Sequence, residues 1–320
     1  MQQRNFKLIE TRGVRLRVLV EGRGPLCVLI HGWPESWYSW RHQIDALIAA
    51  GYRVAAPDMR GYGGSDKPHA IEAYDMVEMT DDVLGVIEAL ARPDEAAILV
   101  GHDWGAPIAW VTAIRHAARV RAVIGMSVPH LGRGKLPAIE RFHEAYRGRF
   151  FYQLYFQTPG VAEAELEADL PATIRKIYSA PAGVMGNDSE PKGADAKFLD
   201  GLVDPAVLPE WLTQADVDYY VSQFRGSGFR GPLNRYRNQQ RDHALLPELS
   251  ERKVEQPALF IAGAADPVLH MFPGIDVIER MDRWYADLRG KVIVPGAGHW
   301  VQQERPREVN EAMFAFLGEV

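Results

Sequence analysis

Three side chains in this sequence have the chemistry to make and then break an ester: the carboxylates of Asp103 and Asp266 and the imidazole of His299. Asp103 sits in Val100-Gly101-His102-Asp103-Trp104-Gly105-Ala106, where an apolar run bounded by glycine feeds an amphipathic segment rich in Ala and Trp. That pattern reads as a buried strand turning sharply into a helix. Glycines two before and two after one position have the spacing of a nucleophile elbow, in which small residues let strand and helix approach and lift the side chain between them above the sheet. The lifted side chain is Asp, where the usual elbow carries Ser. A carboxylate needs no base to activate it at pH 7, and it can displace a leaving group from saturated carbon to give an ester. The competing reading is a plain helix cap, a position Asp favours.

Asp266 follows the apolar run 259–263 by three residues, and His299 follows the run 292–294 inside Gly-Ala-Gly-His-Trp. The chain order is thus nucleophile, acid, histidine, the order found in hydrolases built on a parallel sheet. A histidine at a strand end can act as a general base, and a carboxylate beside it fixes its tautomer and stabilises the imidazolium. Taken alone, Asp266 before Pro267 reads as a turn former. Taken together, the three positions favour chemistry over coincidence.

The surrounding elements must bring these strand ends to one edge. Segments 6–10 and 14–20 alternate apolar and polar residues around Thr11-Arg12-Gly13 and predict an antiparallel hairpin. The continuous apolar run 26–30 predicts a strand buried on both faces. Further expectations are helices at 36–50, 74–91 and 104–116, strands at 54–57 and 120–128, and a strand that starts at 97 and is bounded by Gly101. The core then gives way to a region with few strand-like runs, from about 131 to 250, broken by a Gly-, Asp- and Pro-rich stretch at 181–195. Within it, Thr213-Gln214-Ala215-Asp216 ahead of an apolar periodic run predicts a capped helix. A strand at 257–263, a helix near 274–289, a strand at 292–294 and a closing helix at 306–317 complete the pattern. The expectation is an α/β fold, a mostly parallel sheet flanked by helices, in three stretches: core 1–130, helical cap 131–250, core 251–320. Ligands in such sheets bind beyond the carboxyl ends of the strands, where Asp103 lies.

The 320 residues suit one α/β domain with an insertion, and 47% hydrophobic with 24% charged residues is ordinary for a globular protein. The net charge of -6, with both signs interspersed, gives no footprint for nucleic acid or an anionic membrane, so neither is expected as a partner. A monomer and a homo-oligomer both stay open. The single cysteine, Cys27, lies in an apolar run, cannot form an intrachain disulfide and reads as core. Residues 1–10 lack an apolar signal core and no stretch reaches the roughly 20 apolar residues of a membrane span, so a cytoplasmic location is expected. The loop 58–65 is glycine-rich but lacks the dinucleotide fingerprint, and neither a phosphate loop nor a zinc-type His-Glu-x-x-His run occurs. No cofactor and no metal are expected.

His31-Gly32-Trp33-Pro34, Arg60-Gly61-Tyr62-Gly63 through Lys67-Pro68, Gly101-His102-Asp103-Trp104-Gly105 and Gly298-His299-Trp300 carry a family likeness. So do Tyr152-Gln153-Leu154-Tyr155-Phe156-Gln157 and the segment 227–238 around Tyr236. Over nearly its whole length the sequence resembles the epoxide hydrolases of the α/β-hydrolase fold. The resemblance implies an inserted helical cap, a small-molecule epoxide as substrate, and Tyr152 and Tyr236 as the pair that holds the opening ring's oxygen. Periodicity could not have chosen those two among the insert's tyrosines, most of which pass as packing residues. It further implies that the backbone N–H groups of Trp33 and Trp104 form the oxyanion hole, and that His31, Trp33, Trp104 and Gln153 border the substrate. Trp33 stands where the family often has Phe, a difference that bears on pocket shape.

The implied reaction is attack of Asp103 on an epoxide carbon, followed by hydrolysis of the ester by water activated at His299, itself oriented by Asp266, to give a vicinal diol. The nearest alternative is a haloalkane dehalogenase, which shares the elbow Asp and the Trp after it. Its common halide pockets add an Asn within His-Gly-x-Pro or a Trp from the cap. Here the first place holds Trp33, and the insert's one tryptophan is Trp211, beside the helix cap Thr213. A serine esterase is excluded because no Gly-x-Ser-x-Gly occurs. A catalytically dead binding module would have lost the nucleophile, acid or histidine, and none is lost.

Overall fold

The computed structural model describes residues 4–180, 192–271 and 274–320. Eight strands form one sheet: β1 (Phe6–Glu10), β2 (Arg15–Gly22), β3 (Leu26–Ile30), β4 (Arg53–Pro57), β5 (Ala97–His102), β6 (Val120–Met126), β7 (Val254–Gly263) and β8 (Tyr285–Val294). Their order across the sheet is β1-β2-β4-β3-β5-β6-β7-β8, with β1/β2 and β2/β4 antiparallel and the other pairs parallel. This is the α/β-hydrolase fold. Every residue of β3 and β5 is buried because helices cover both faces, which is why these strands read as unbroken apolar runs. Alternate residues feed opposite cores: Val28, Ile30 and Leu99 pack with the helices Met76–Leu90 and Gly105–Arg115, while Cys27, Leu29, Ile98 and Val100 pack with Arg41–Ala49 and Pro306–Leu317.

Between β6 and β7 the described residues add seven α-helices and no sheet strand. One of them, Gln214–Ser227, starts with the expected box: Thr213 Oγ1 accepts from Asp216 N at 3.2 Å, and Asp216 Oδ2 accepts from Thr213 N at 2.8 Å. Residues 181–191 of the expected break lie outside the described residues. Among the described residues no helix is long and apolar enough to cross a membrane.

Two expectations need correction. The helix expected near 274–289 is only Val277–Arg280 with a tight turn Met281–Trp284, and β8 begins at Tyr285 instead of 292. Pairing of Tyr285 with Val254 and of Asp287 with Pro257 extends the strand through residues that would suit a helix, because ladder hydrogen bonds outweigh weak local propensity. As an edge strand with mostly half-exposed positions, β8 is announced by an apolar run only at its end, 292–294. The helix expected over 36–50 opens with a tight turn, Trp37–Trp40, capped by Ser36, and becomes α-helical only at Arg41.

The turn after β5 is the tightest junction in the sheet. Asp103 takes φ 50, a left-handed conformation uncommon for non-glycine residues and most often adopted by Asp and Asn. A Cβ on Gly105 would lie 1.9 Å from the Ile30 carbonyl oxygen, and one on Gly101 would lie 2.1 Å from the Gly105 oxygen. Both clashes are with backbone, which cannot swing aside. Gly105→Ala is therefore expected to destabilise the fold by about 2 kcal/mol or more, as overpacking of a filled site does. Thermal unfolding checks this; a variant melting with the wild type would mean that strand and helix are not so closely apposed.

Candidate active site

Asp103, Asp266 and His299 stand at the carboxyl ends of β5, β7 and β8, and parallel pairing aligns those ends along one edge of the sheet. The Asp103 carboxylate is divided between two neighbours. Its Oδ1 accepts the Trp33 N–H at 2.7 Å, while Oδ2 faces His299 Nε2 at 3.6 Å. Behind the imidazole, His299 Nδ1 meets Asp266 Oδ1 at 3.1 Å, and Asp266, fully buried, also accepts the Val268 N–H at 3.0 Å.

These groups shift one another's titration. Burial by itself lowers the pKa of His299, but the charges of Asp266 and Asp103 and the hydrogen bonds to them push it well above the ordinary value of 6.5. Burial likewise works against the Asp266 charge, and contact with His299 outweighs it, holding that carboxyl below its usual range. By linkage, the raised His299 stabilises the fold fully below about pH 6.5 and loses that contribution as pH climbs through its folded value; Asp266 contributes above its ordinary pKa and loses it as pH falls through the depressed one.

A second buried network fixes the three loops. Glu35 Oε2 accepts the Gly32 N–H at 2.7 Å and lies 2.9 Å from His102 Nδ1, while His102 Nε2 donates to the His299 carbonyl at 2.7 Å. Gln302 donates to the other Glu35 oxygen at 3.0 Å. The loop bearing Trp33, the elbow and the loop bearing His299 are thereby tied at one point. Sequence reasoning missed Glu35 and His102, although each is a polar residue beside a motif position in a segment otherwise expected to be buried.

Two tyrosines close the site from the helical segment. Tyr152 starts the single turn Tyr152–Tyr155 and Tyr236 ends Arg230–Tyr236; their rings lie 6.0 Å apart at 78°. Gln153 Nε2 donates to the Tyr152 hydroxyl at 2.9 Å, and the Trp104 ring meets the Tyr236 ring edge-on, 5.2 Å apart at 83°. Burial, then the Asp103 charge, raises both phenols, so each keeps its proton to donate. Gln153 is itself held by Gln239 Nε2 at 2.8 Å, a partner that sequence reading did not find. Arg235 lies over the Trp104 ring at 4.8 Å and bonds to Asp242 and the Tyr74 carbonyl, which fixes the indole.

The cavity above Asp103 is narrow, about 30 Å³, and is walled by Trp33, Tyr146, Phe151, Met271 and the two tyrosines, with His299 to one side. Gln153 and Trp104 do not line it; each stands behind one tyrosine. His31 is also set back. Its Nε2 accepts the Met59 N–H at 3.0 Å and its Nδ1 donates to the Gly32 carbonyl at 2.9 Å, an arrangement that suits the neutral ring favoured by burial. It pins the loop that carries Trp33.

A family model for the alpha/beta hydrolase fold matches residues 25–306. Epoxide hydrolase A of Mycobacterium tuberculosis is 45% identical over 320 residues, covering 97% of this chain and 96% of that protein. The crystal structure of epoxide hydrolase A from Mycobacterium thermoresistibile superimposes with a TM-score of 0.93 at 45% identity, covering 99% of this chain and 98% of the other. An epoxide hydrolase from an endophytic Streptomyces gives a TM-score of 0.92 at 40% identity, over 99% and 96% of the two chains. With the sheet, the acidic elbow and these relatives in agreement, the chain belongs to the epoxide hydrolases of the α/β-hydrolase fold.

Proposed function

We propose that this enzyme converts an epoxide and water to a vicinal diol in two steps, through an ester on Asp103. In the first, a lone pair on Asp103 Oδ2 forms a bond to one ring carbon while that carbon's bond to the epoxide oxygen breaks. The developing alkoxide is held by the hydroxyls of Tyr152 and Tyr236 and takes a proton from one of them, becoming a hydroxyl and leaving a phenolate. In the second, His299 takes a proton from water and the water oxygen bonds to the Asp103 carboxyl carbon; the bond from that carbon to Oδ2 then breaks as the imidazolium gives its proton to the departing oxygen, releasing the diol, and the proton left on the Asp103 carboxyl restores the phenol. Asp266 holds the imidazole in the productive tautomer.

The observation that carries this reading is the division of the Asp103 carboxylate. Oδ1 already accepts the Trp33 N–H, so Oδ2, facing His299 and the cavity, is the attacking atom. When water adds, negative charge returns to Oδ1, where the N–H of Trp33 and that of Trp104, at the head of the helix Gly105–Arg115, form the oxyanion hole. A halide pocket is disfavoured because neither Trp104 nor Trp211 borders this cavity. The segment 131–250 is the cap that delivers the tyrosines to cores 1–130 and 251–320. A cytoplasmic setting suits a chain whose one cysteine is buried and free.

The two steps ask opposite things of His299, and the charges supply both. The free enzyme's two carboxylates favour the imidazolium; esterification removes the Asp103 charge and so lowers the His299 pKa when a base is required. Asp103→Asn mimics that loss. NMR titration of the His299 ring is expected to give a lower pKa in this variant than in the wild type, and equal values would refute the coupling.

In His299→Gln, ring opening is expected to proceed while ester hydrolysis stalls, leaving intact protein heavier by one epoxide attached at Asp103. A wild-type first turnover in heavy-oxygen water is expected to give diol carrying an unlabelled carboxylate oxygen. Fully labelled first-turnover diol, with no adduct in the variant, would make Asp103 a general base. Tyr236→Phe is expected to slow ring opening by about 10²–10³, as losing one preorganised donor does, with melting unchanged. An unaltered epoxide rate in the Tyr152→Phe/Tyr236→Phe double variant would remove both phenols from the mechanism.

A further inference from the structure

Tyr152 and Tyr236 sit on two short helices, Tyr152–Tyr155 and Arg230–Tyr236, that lie far apart in the chain. Two donors serve one oxygen only if their separation is held, since a hydrogen bond weakens steeply once its length and angle drift. Directly after Tyr236, the Arg237 guanidinium reaches across to the segment that follows Tyr152. Its Nε donates to the Phe156 carbonyl at 2.9 Å and its Nη2 to the Thr158 carbonyl at 3.4 Å. Glu163 accepts from both arms of the fork, Oε1 from Nη1 at 2.7 Å and Oε2 from Nη2 at 3.0 Å, and Nη1 also donates to Asn234 Oδ1 at 2.9 Å. All five N–H groups of the guanidinium are thus engaged, on a side chain only 2% exposed.

We infer that Arg237 is a positioning residue for ring opening: it fixes the Tyr152 turn against the Tyr236 turn, so that both phenols serve one epoxide oxygen. The inference rests on the two-step reading above. The path from guanidinium to phenols is short. The Phe156 N–H donates to the Tyr152 carbonyl at 2.9 Å, closing that turn, and the Phe156 ring touches both phenols, 5.6 Å from Tyr152 and 5.1 Å from Tyr236. Glu163 is anchored in its turn, accepting the Gly160 N–H at 2.8 Å in the first turn of the helix Val161–Ala168. Burial opposes the Glu163 charge, and Arg237 overcomes it, holding that carboxyl below its ordinary range. A buried ion pair adds little net stability over apolar residues of the same volume, because desolvation offsets its attraction. What a planar fork adds is a single arrangement of the groups around it. The neighbouring Arg235 bonds to the Tyr74 carbonyl and so ties Tyr236 to the sheet, while Arg237 ties it to the Tyr152 turn. A lighter bridge, Gln157 Nε2 to the Gln153 and Tyr236 carbonyls at 2.7 and 3.1 Å, keeps the segments in contact without Arg237, so its loss misplaces a phenol instead of undocking it.

The test is a double-mutant cycle read on the separate steps, with single turnovers followed by mass spectrometry of the Asp103 adduct. Arg237→Lys keeps a charge opposite Glu163 but cannot fork. It is expected to slow ring opening about tenfold and to leave ester hydrolysis within about twofold of wild type. In a Tyr152→Phe background only one phenol is left to place, and there the same substitution is expected to slow ring opening by less than about twofold. Glu163→Gln keeps an acceptor for the Gly160 N–H and one for Arg237. It is expected to slow ring opening about threefold, again in that step alone, and it carries the test if Arg237→Lys does not fold. A pair that is merely structural would slow both steps alike, and its loss would cost as much with Tyr152→Phe as without it. Either result overturns the positioning role, as does wild-type ring opening in both variants. If Tyr152→Phe alone leaves ring opening unchanged, the two-phenol reading fails and Arg237 falls with it, whereas a slow Tyr152→Phe enzyme beside unaltered Arg237 and Glu163 variants sinks the role of Arg237 alone.

Discussion

The site depends on how closely three backbone segments approach beneath Asp103. The His31–Pro34 loop, the end of β5 and the start of the following helix come together so tightly that a Cβ on Gly32 would lie 2.4 Å from the Asp103 side chain. This closeness places the Trp33 N–H 2.7 Å from one carboxylate oxygen, and it forces Asp103 into its left-handed conformation. Moving any of the three segments outward by the width of a methyl group would lengthen the Trp33 bond beyond hydrogen-bond range. Gly101, Gly105 and Gly32 are therefore not interchangeable with alanine, and the chemistry assigned to Asp103 is set by backbone geometry before any side chain is considered.

Such an approach brings charge with it. Glu35, Asp103 and Asp266 lie around His102 and His299 in a region largely sealed from water, where an unpaired carboxylate would be costly. Each carboxylate is instead given donors. Glu35 has the Gly32 N–H, His102 and Gln302; Asp266 has the Val268 N–H and His299; Asp103 has the Trp33 N–H. Burial opposes the charge on Glu35, and His102 and Gly32 overcome it, which lowers that carboxyl below its ordinary range. The network therefore serves the fold as well as the reaction, since its members hold together loops that no strand pairing joins.

Legibility in the sequence follows from whether a structure is local. Buried central strands are announced by apolar runs, and the elbow by two glycines at fixed spacing, so β3, β5 and the placement of Asp103, Asp266 and His299 at strand ends could be read directly. The first part of β8 could not. Its residues 285–291 acquire their conformation from pairing with β7, and their polar character gives no period. The same holds for Tyr152 and Tyr236, which are brought over Asp103 from two separate short helices. Only the family resemblance distinguished them from Tyr178 or Tyr220, which stack on each other in the interior at 4.6 Å. The family resemblance implies that Gln153 borders the substrate, whereas its amide turns back to hold the Tyr152 hydroxyl. Sequence adjacency on a helical turn does not fix which way a side chain faces.

The tyrosine partners show how the helical segment and the sheet depend on each other. Trp104, a residue of the elbow, meets the Tyr236 ring edge-on at 5.2 Å, whereas the Tyr152 hydroxyl receives a hydrogen bond from Gln153 within the helical segment. One phenol is thus packed against the elbow and the other is held within its own segment. The segment must stay docked on the sheet for both to line the cavity at Asp103. Two contacts maintain that arrangement from the sheet side: Arg235 packs over Trp104, and Trp33 meets the Tyr236 ring edge-on at 5.8 Å. Since Trp33 also supplies the N–H to Asp103, one residue fixes the carboxylate from below and the phenol from above. A smaller ring at that position would keep the backbone bond yet leave Tyr236 less constrained, so Trp33 sets the position of that phenol as well as the shape of the wall.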